Sequence, residues 1–127
     1  MRLLLDTHAL IWFSGERDRL ADTVVDTIEQ AEAVFVSPAS VYEMELKFAL
    51  GKLPGVANLL PILPRYMRDM SFSELPLTIA HARLSGQLPL HHRDPFDRML
   101  IAQAQIEDLM LVSNEQLFES FGVRRLW

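Results

Sequence analysis

The sequence predicts an α/β fold, a three-layer α/β/α sandwich around a central, mostly parallel sheet of about five short strands. Three observations predict it. The apolar runs Leu3-Leu4-Leu5, Ala33-Val34-Phe35-Val36 and Met110-Leu111-Val112 are continuous rather than alternating, as in strands buried on both faces. Stretches of helical spacing separate these runs. Acidic residues follow two of the runs and stand near helix starts, and the carboxyl edge of an open parallel sheet is where ligands bind.

Taken in order, Arg2 to Asp6 reads as a buried strand and Thr7 to Phe13 as a short helix ended by Ser14-Gly15. Leu20, Val24, Ile28 and Ala31 carry helical spacing over Leu20 to Ala31, and Ala33 to Val36 is the second strand. Ser37-Pro38 opens a helix to about Leu50, with Ser as N-cap, Pro in the first turn and Gly51 as the stop. Pro54 to Met70 is apolar enough for a helix, but Pro61 and Pro64 must kink it, break it or start a new one. A brief extended segment is expected near Phe72 to Leu75. Thr78 to Leu88 reads as a helix between Pro76 and Pro89, and Asp94-Pro95 opens another that runs to about Glu107. Met110 to Val112, a short helix over Glu115 to Phe121 and a last strand over Val123 to Leu126 complete the pattern. No repeat, linker or low-complexity tract interrupts it.

A chain of 127 residues is long enough for a real core, and 50% hydrophobic with 23% charged residues is globular composition. The absence of Cys excludes disulfides, thiolate nucleophiles and Cys-ligated zinc, and fits a cytoplasmic location. No stretch approaches the roughly 20 apolar residues of a membrane span. The net charge of −5 is the wrong sign for gripping nucleic acid by bulk electrostatics, but an acidic metal pocket would hold several of those negatives. Lys47, Lys52, Arg65, Arg68, Arg93 and Arg98 are candidates to line a path to such a pocket. An acidic chain also suits a basic partner protein.

Each carboxylate has a structural and a functional reading. Asp6 can cap the helix that starts at Thr7; its place after a buried strand favours a ligand role, because Ser or Asn caps without adding charge. Ser40 to Glu43 has capping-box spacing, but a helix that begins at Ser37-Pro38 leaves Glu43 too far inside to be the box acid. Lys47 lies four residues on from Glu43, so a surface ion pair is the alternative for both. Leu46 and Leu50 on the same side argue against the surface. Glu45 points elsewhere, to solvent.

Asp94, before Pro95, reads first as an N-cap and second as a supporting group. Asp97 can complement the helix dipole, but it heads an apolar stripe with Ile101 and Ala104 and so faces the sheet edge. Arg98 and Arg93 are counter-charges, substrate contacts or plain surface. Glu115 can be a first-turn acid behind Ser113 or Asn114; it also repeats the arrangement of strand, polar turn, acid and helix found at Asp6-Thr7. His8, His81, His91 and His92 have no zinc spacing, and the adjacent His91-His92 reads as loop surface. Met44, Met67, Met70, Met99 and Met110 read as core filler.

Two unit charges about 4 Å apart cost roughly 4 kcal/mol at an effective dielectric near 20, so converging carboxylates either protonate or recruit a cation. Oxygen ligands without His or Cys suit Mg²⁺, or Mn²⁺ in its place. The natural reaction is hydrolysis of a phosphodiester, with an activated water and a stabilised leaving oxygen.

The motifs Leu-Leu-Leu-Asp-Thr-His-Ala-Leu-Ile-Trp (3–12), Ser-Pro-Ala-Ser-Val-Tyr-Glu-Met-Glu-Leu-Lys (37–47) and Gly-Lys-Leu (51–53) occur in order. His-Arg-Asp-Pro-Phe-Asp-Arg-Met-Leu-Ile-Ala-Gln-Ala (92–104) and Leu-Val-Ser-Asn-Glu (111–115) follow. As a set they resemble PIN domains, specifically the VapC-type toxins of toxin–antitoxin pairs, over essentially the whole chain. The resemblance implies a single PIN domain over 1–127 and metal-dependent endoribonuclease activity on RNA. The family's first three acids fall on Asp6, Glu43 and Asp97, which are the implied catalytic residues and metal ligands. Its fourth, usually Asp two residues after a Thr, falls on Glu115 after Ser113, a departure that makes the contact direct, water-mediated or absent. Asp94 lies in the motif outside the usual ligands; Ser113, Lys47 and Arg98 are possible supporting groups. A homodimer and a cognate antitoxin, with a basic residue that enters the acidic pocket, are also implied.

Two other classes stay open. One is a PIN-like binding module for a partner protein, weak or inactive in catalysis, to which the longer Glu115 points. The other is a phosphotransferase with Asp6 as covalent nucleophile, which wants a second Asp where His8 stands.

Overall fold

The structure, a computed structural model, describes residues 1–127. Five parallel strands form one sheet in the order β3-β2-β1-β4-β5: β1 (Arg2–Leu5), β2 (Ala33–Val36), β3 (Ser73–Glu74), β4 (Met110–Val112) and β5 (Arg125–Leu126). β1 is central, with Leu3 opposite Val34 on one side and Met110 on the other. Leu3, Leu4 and Leu5 are fully buried, which explains their unbroken run.

Strand alternation divides these leucines between two cores. Leu3 and Leu5 pack with Ala9, Leu10 and Phe13 of α1 (Thr7–Gly15) and with Val24 and Ile28 of α2 (Asp22–Gln30). Met44 of α3 (Pro38–Ala49) and Leu63 of α4 (Leu63–Met70) join that face. Leu4 packs with Leu100, Ile101 and Ala104 of α6 (Pro95–Glu107), beside which lies α5 (Ile79–Gln87). The result is the three-layer sandwich expected from the sequence. No single helix is long and apolar enough to cross a membrane.

The difficult Pro54–Met70 stretch resolves into two short 3₁₀ turns, Pro54–Ala57 and Leu60–Ile62, followed by α4. Pro64 occupies the first turn of α4, where its missing N–H costs nothing. The segment after β4 is a 3₁₀ helix over Gln116–Phe121, and another 3₁₀ turn, Arg17–Arg19, precedes α2. Met44 is fully buried, but Met70 is exposed beside Arg17, so it is not core filler.

The chain builds outward from β1 through β2 to β3 and then returns to the other side of β1 as β4. The order therefore reverses between β1 and β4, and at such a switch point the connections leave a crevice beyond the strand ends. Asp6 stands at the end of β1 and Ser113 at the end of β4, on the two sides of that crevice.

Candidate functional site

Asp6 takes up the capping role and stays buried. It is the N-cap of α1, with Oδ1 accepting the Ala9 N–H at 2.7 Å, and its own backbone N–H donates to Val112 O. Burial pushes its carboxyl up to about 6, against the hydrogen bonds from Ser113 and the Ala9 backbone. The charges of Glu43 and Glu115 push in the same direction.

Glu43 is delivered by α3, which starts where the sequence placed it: Ser37 Oγ accepts the Ala39 N–H at 3.0 Å, with Pro38 in the first turn. Its carboxylate is held from two sides. Thr7 Oγ1 donates to Oε1 at 2.5 Å and Lys47 Nζ donates to Oε2 at 2.5 Å. Only 5% of Glu43 is exposed, so this is no surface ion pair. The hydrogen bond to Glu43 raises the affinity of Lys47 for its proton and keeps the ammonium charged. Leu46 and Leu50, expected to keep that side of α3 covered, are themselves exposed. α1 and α6 both pack against α3, and Thr7 of α1 lies directly on the Glu43 carboxylate.

Asp94 caps α6 by accepting the Asp97 N–H at 2.9 Å. Asp97 lies in the first turn of α6, heading a stripe with the buried Ile101 and Ala104. Burial, and then the charge of Asp94, raise its carboxyl well above the usual range. His92 opposes this with a hydrogen bond from Nε2 to Asp97 Oδ2 at 2.9 Å. The expectation that His91-His92 is plain loop surface is therefore corrected. His91 is exposed, but the His92 side chain is only 13% exposed and is turned inward by the loop onto α6.

At the end of β4, Ser113 is fully buried and its Oγ accepts the Glu115 N–H at 3.0 Å. Glu115 is exposed, and its Oε1 accepts the N–H of Leu117, starting the 116–121 turn. Its carboxylate is thus engaged in a local cap.

Asp6, Glu43, Asp97 and Glu115 all line one cavity of about 300 Å³, with Thr7, His8, Lys47, Asp94, Asn114 and Phe118. Of the six basic residues considered from the sequence, only Lys47 reaches it. Arg98 is buried and points away, donating to the carbonyl oxygens of Leu88 (2.8 Å), Pro89 (2.8 Å) and His92 (2.9 Å). It braces the loop ahead of α6 and does not line the cavity. Thr7, Asn114, His92 and Phe118 were not singled out from the sequence for this site. Thr7 and Asn114 had one usable signal, their place in the polar turns after β1 and β4; His92 and Phe118 had none.

No group of three or more His, Asp or Glu side chains stands ready to hold a metal ion. Each of the four carboxylates spends at least one oxygen on a protein donor, and Glu43 spends both. The donor set nevertheless fits a hydrated divalent cation. The four acids offer oxygens, two of them hold protons abnormally tightly, and the cavity far exceeds the roughly 10–15 Å³ that one water needs.

Comparison with curated protein sequences finds no significant match. Among solved structures, VapBC2 from Rickettsia felis bound to a promoter DNA fragment is similar, with TM-score 0.69 and 12% identity over 99% of this chain and 98% of that one. FitAcB from Neisseria gonorrhoeae gives TM-score 0.67 and 21% identity, covering 98% of this chain and 96% of that one. DNA-bound VapBC from Salmonella typhimurium gives 0.65 and 18%, covering 99% and 97%. At these identities the likeness speaks for the fold. The family profile described as PIN domain matches residues 3–123, nearly the whole chain, and the protein belongs to the PIN domain family.

Proposed function

We propose that the protein is a Mg²⁺- or Mn²⁺-dependent endoribonuclease that acts as the toxin of a toxin–antitoxin pair. The observation that carries this is the convergence of Asp6, Glu43, Asp97 and Glu115 on one cavity at the switch point of the sheet. Asp6 and Asp97 are the direct ligands in this reading: both line the cavity from buried positions, whereas Glu43 has both oxygens engaged and Glu115 is exposed and caps its own turn. Mg²⁺ commonly takes only one or two carboxylates and keeps waters, so Glu43 and Glu115 act through those waters.

A divalent cation bound there supplies an activated water and neutralises charge building on the phosphate. The chain's own residues do the positioning. Thr7 and Lys47 fix both oxygens of Glu43, so it can accept a hydrogen bond from a water only along its remaining lone pairs. Lys47 Nζ has further protons to offer a phosphate oxygen at the cavity wall. Asp94 holds the first turn of α6, and with it Asp97, against the mouth.

The structures of VapBC and FitAcB complexes support a protein partner of antitoxin type, and the family resemblance supports a homodimer. An antitoxin that places a basic group among these acids would compete with the cation for the same charge. The test is incubation of total cellular RNA with purified, partner-free protein in Mg²⁺, Mn²⁺ or EDTA, beside Asp6→Ala. Discrete products that need metal and vanish in the variant are expected, and their ends identify the substrate RNA.

Two observations favour the alternative of a PIN-like binding module: Glu43 has both oxygens occupied, and Glu115 caps its own turn. Folded protein that binds Mn²⁺ and a partner but cleaves no RNA is the result that selects it.

A further inference from the structure

We infer that His92 is a positioning residue for Asp97, fixing one carboxylate oxygen so that the other is left for the cavity. This rests on the reading of Asp97 as a metal ligand. His92 does not line the cavity itself; it acts through Asp97 Oδ2, 2.9 Å from its Nε2. Asp97 Oδ1 has no protein hydrogen bond, so the contact divides the carboxylate into a held oxygen and a free one. An ionised carboxylate can only accept, so Nε2 carries the proton in that state.

The imidazole is itself held from three directions. The His92 backbone carbonyl accepts from the buried Arg98 guanidinium at 2.9 Å, which fixes the backbone. Its ring stands edge-on to Phe118 (centroids 5.9 Å apart, planes at 80°) and to Phe121 (6.3 Å, 66°). The neighbouring His91 stacks on Phe121 at 4.6 Å and bonds Ser120 Oγ at 2.9 Å. Phe118 lines the cavity and belongs to the 116–121 turn that Glu115 caps. His92 therefore joins the Asp97 wall to the Glu115 wall and sets their spacing. Free rotation about χ2 would otherwise let Asp97 exchange its two oxygens at the cavity, a disorder that a ligand must remove on binding.

Three measurements on the full chain test this: Mn²⁺ binding by titration calorimetry, the urea midpoint of the metal-free protein, and the imidazole ¹⁵N spectrum. His92→Phe keeps the ring packing and removes the donor, whereas His92→Gln restores an N–H near the position of Nε2. The expected result is a Mn²⁺ affinity roughly 10–100-fold weaker in His92→Phe, the range for partners of metal ligands, and within about threefold of wild type in His92→Gln. The metal-free wild type should show a protonated Nε2, a readout that needs no variant, and its signal should move in an Asp97→Ala protein whose fold is verified by the urea midpoint. Equal Mn²⁺ affinity in wild type and His92→Phe, equal weakness in both variants with matching losses in urea midpoint, or an unprotonated Nε2 overturns the inference. Wild type that binds no Mn²⁺ overturns the functional reading first, and His92 is then a structural contact only.

Discussion

Thr7 Oγ1 donates to Glu43 Oε1 at 2.5 Å, so the residue that follows Asp6 fixes a second acid 36 positions away. Two carboxylates that repel one another are thereby set by adjacent residues of one strand end. Replacing Thr7 by the isosteric Val leaves Glu43 Oε1 buried without that donor. The expected cost is about 1–3 kcal/mol of stability, read as a lower urea midpoint, together with reduced RNA cleavage. Thr7→Ser should restore both. A Thr7→Val protein as stable and active as wild type would show that Lys47 alone suffices to hold Glu43.

Metal-free protein should lose stability as pH rises through the weakly acidic range. Asp6 has its carboxyl raised from 3.8 to about 6. Between those values the folded state holds a proton that the unfolded chain has released. The contribution is complete below about pH 3.8 and is lost as pH rises through about 6, amounting to about 3 kcal/mol. Asp97 acts in the same direction. Asp6→Asn still caps α1 and carries no charge, so it should flatten the urea midpoint against pH and exceed wild type near pH 8. Mn²⁺ should stabilise wild type at that pH far more than the variant. Parallel profiles between pH 4 and 8 would exclude Asp6 as the titrating group.

Arg98 should matter for folding ahead of chemistry. Its guanidinium satisfies carbonyls of Leu88, Pro89 and His92 from a buried position. Lys offers one ammonium where the planar fork reaches several acceptors, so Arg98→Lys should cost on the order of 3 kcal/mol. The check is chemical denaturation, with faster amide exchange over residues 86–92. Retention of wild-type stability would mean that water replaces the fork without cost.

The two ends of the acid set should respond differently to substitution. Asp97→Asn removes a charge from a mostly buried position and should lower metal-dependent cleavage on the order of 100-fold or more, above what outer partners contribute. Glu115 is exposed and already engaged with the Leu117 N–H, so Glu115→Ala should lower cleavage only roughly tenfold. Cleavage rates at saturating Mn²⁺ decide it, and a greater loss from Glu115→Ala would move Glu115 to the centre of the site.

Much of the architecture was legible because its signals are local. Three consecutive leucines mark β1, and Ser37-Pro38 and Asp94-Pro95 start α3 and α6 at the expected residues. The four acids stand near strand ends or helix starts, which in a parallel sheet place them at one edge, and they line one cavity. The Pro54–Met70 stretch was less legible. Two prolines limit what the chain can do there, but only packing of Val56, Leu59 and Leu63 on the first core selects short turns followed by a helix.

By itself, then, the sequence determined the buried strands, the starts of α3 and α6 and the sheet edge at which the acids stand, since periodicity, capping and strand-end position act over a few residues. Only the tertiary structure decided which partner each side chain takes. It turned His92 onto Asp97, spent Arg98 on backbone carbonyls, tied Thr7 to Glu43 and left Leu46 and Leu50 exposed. These pairings depend on how crossover connections bring α1, α3 and α6 together over the sheet edge, a distance relation that no local pattern encodes.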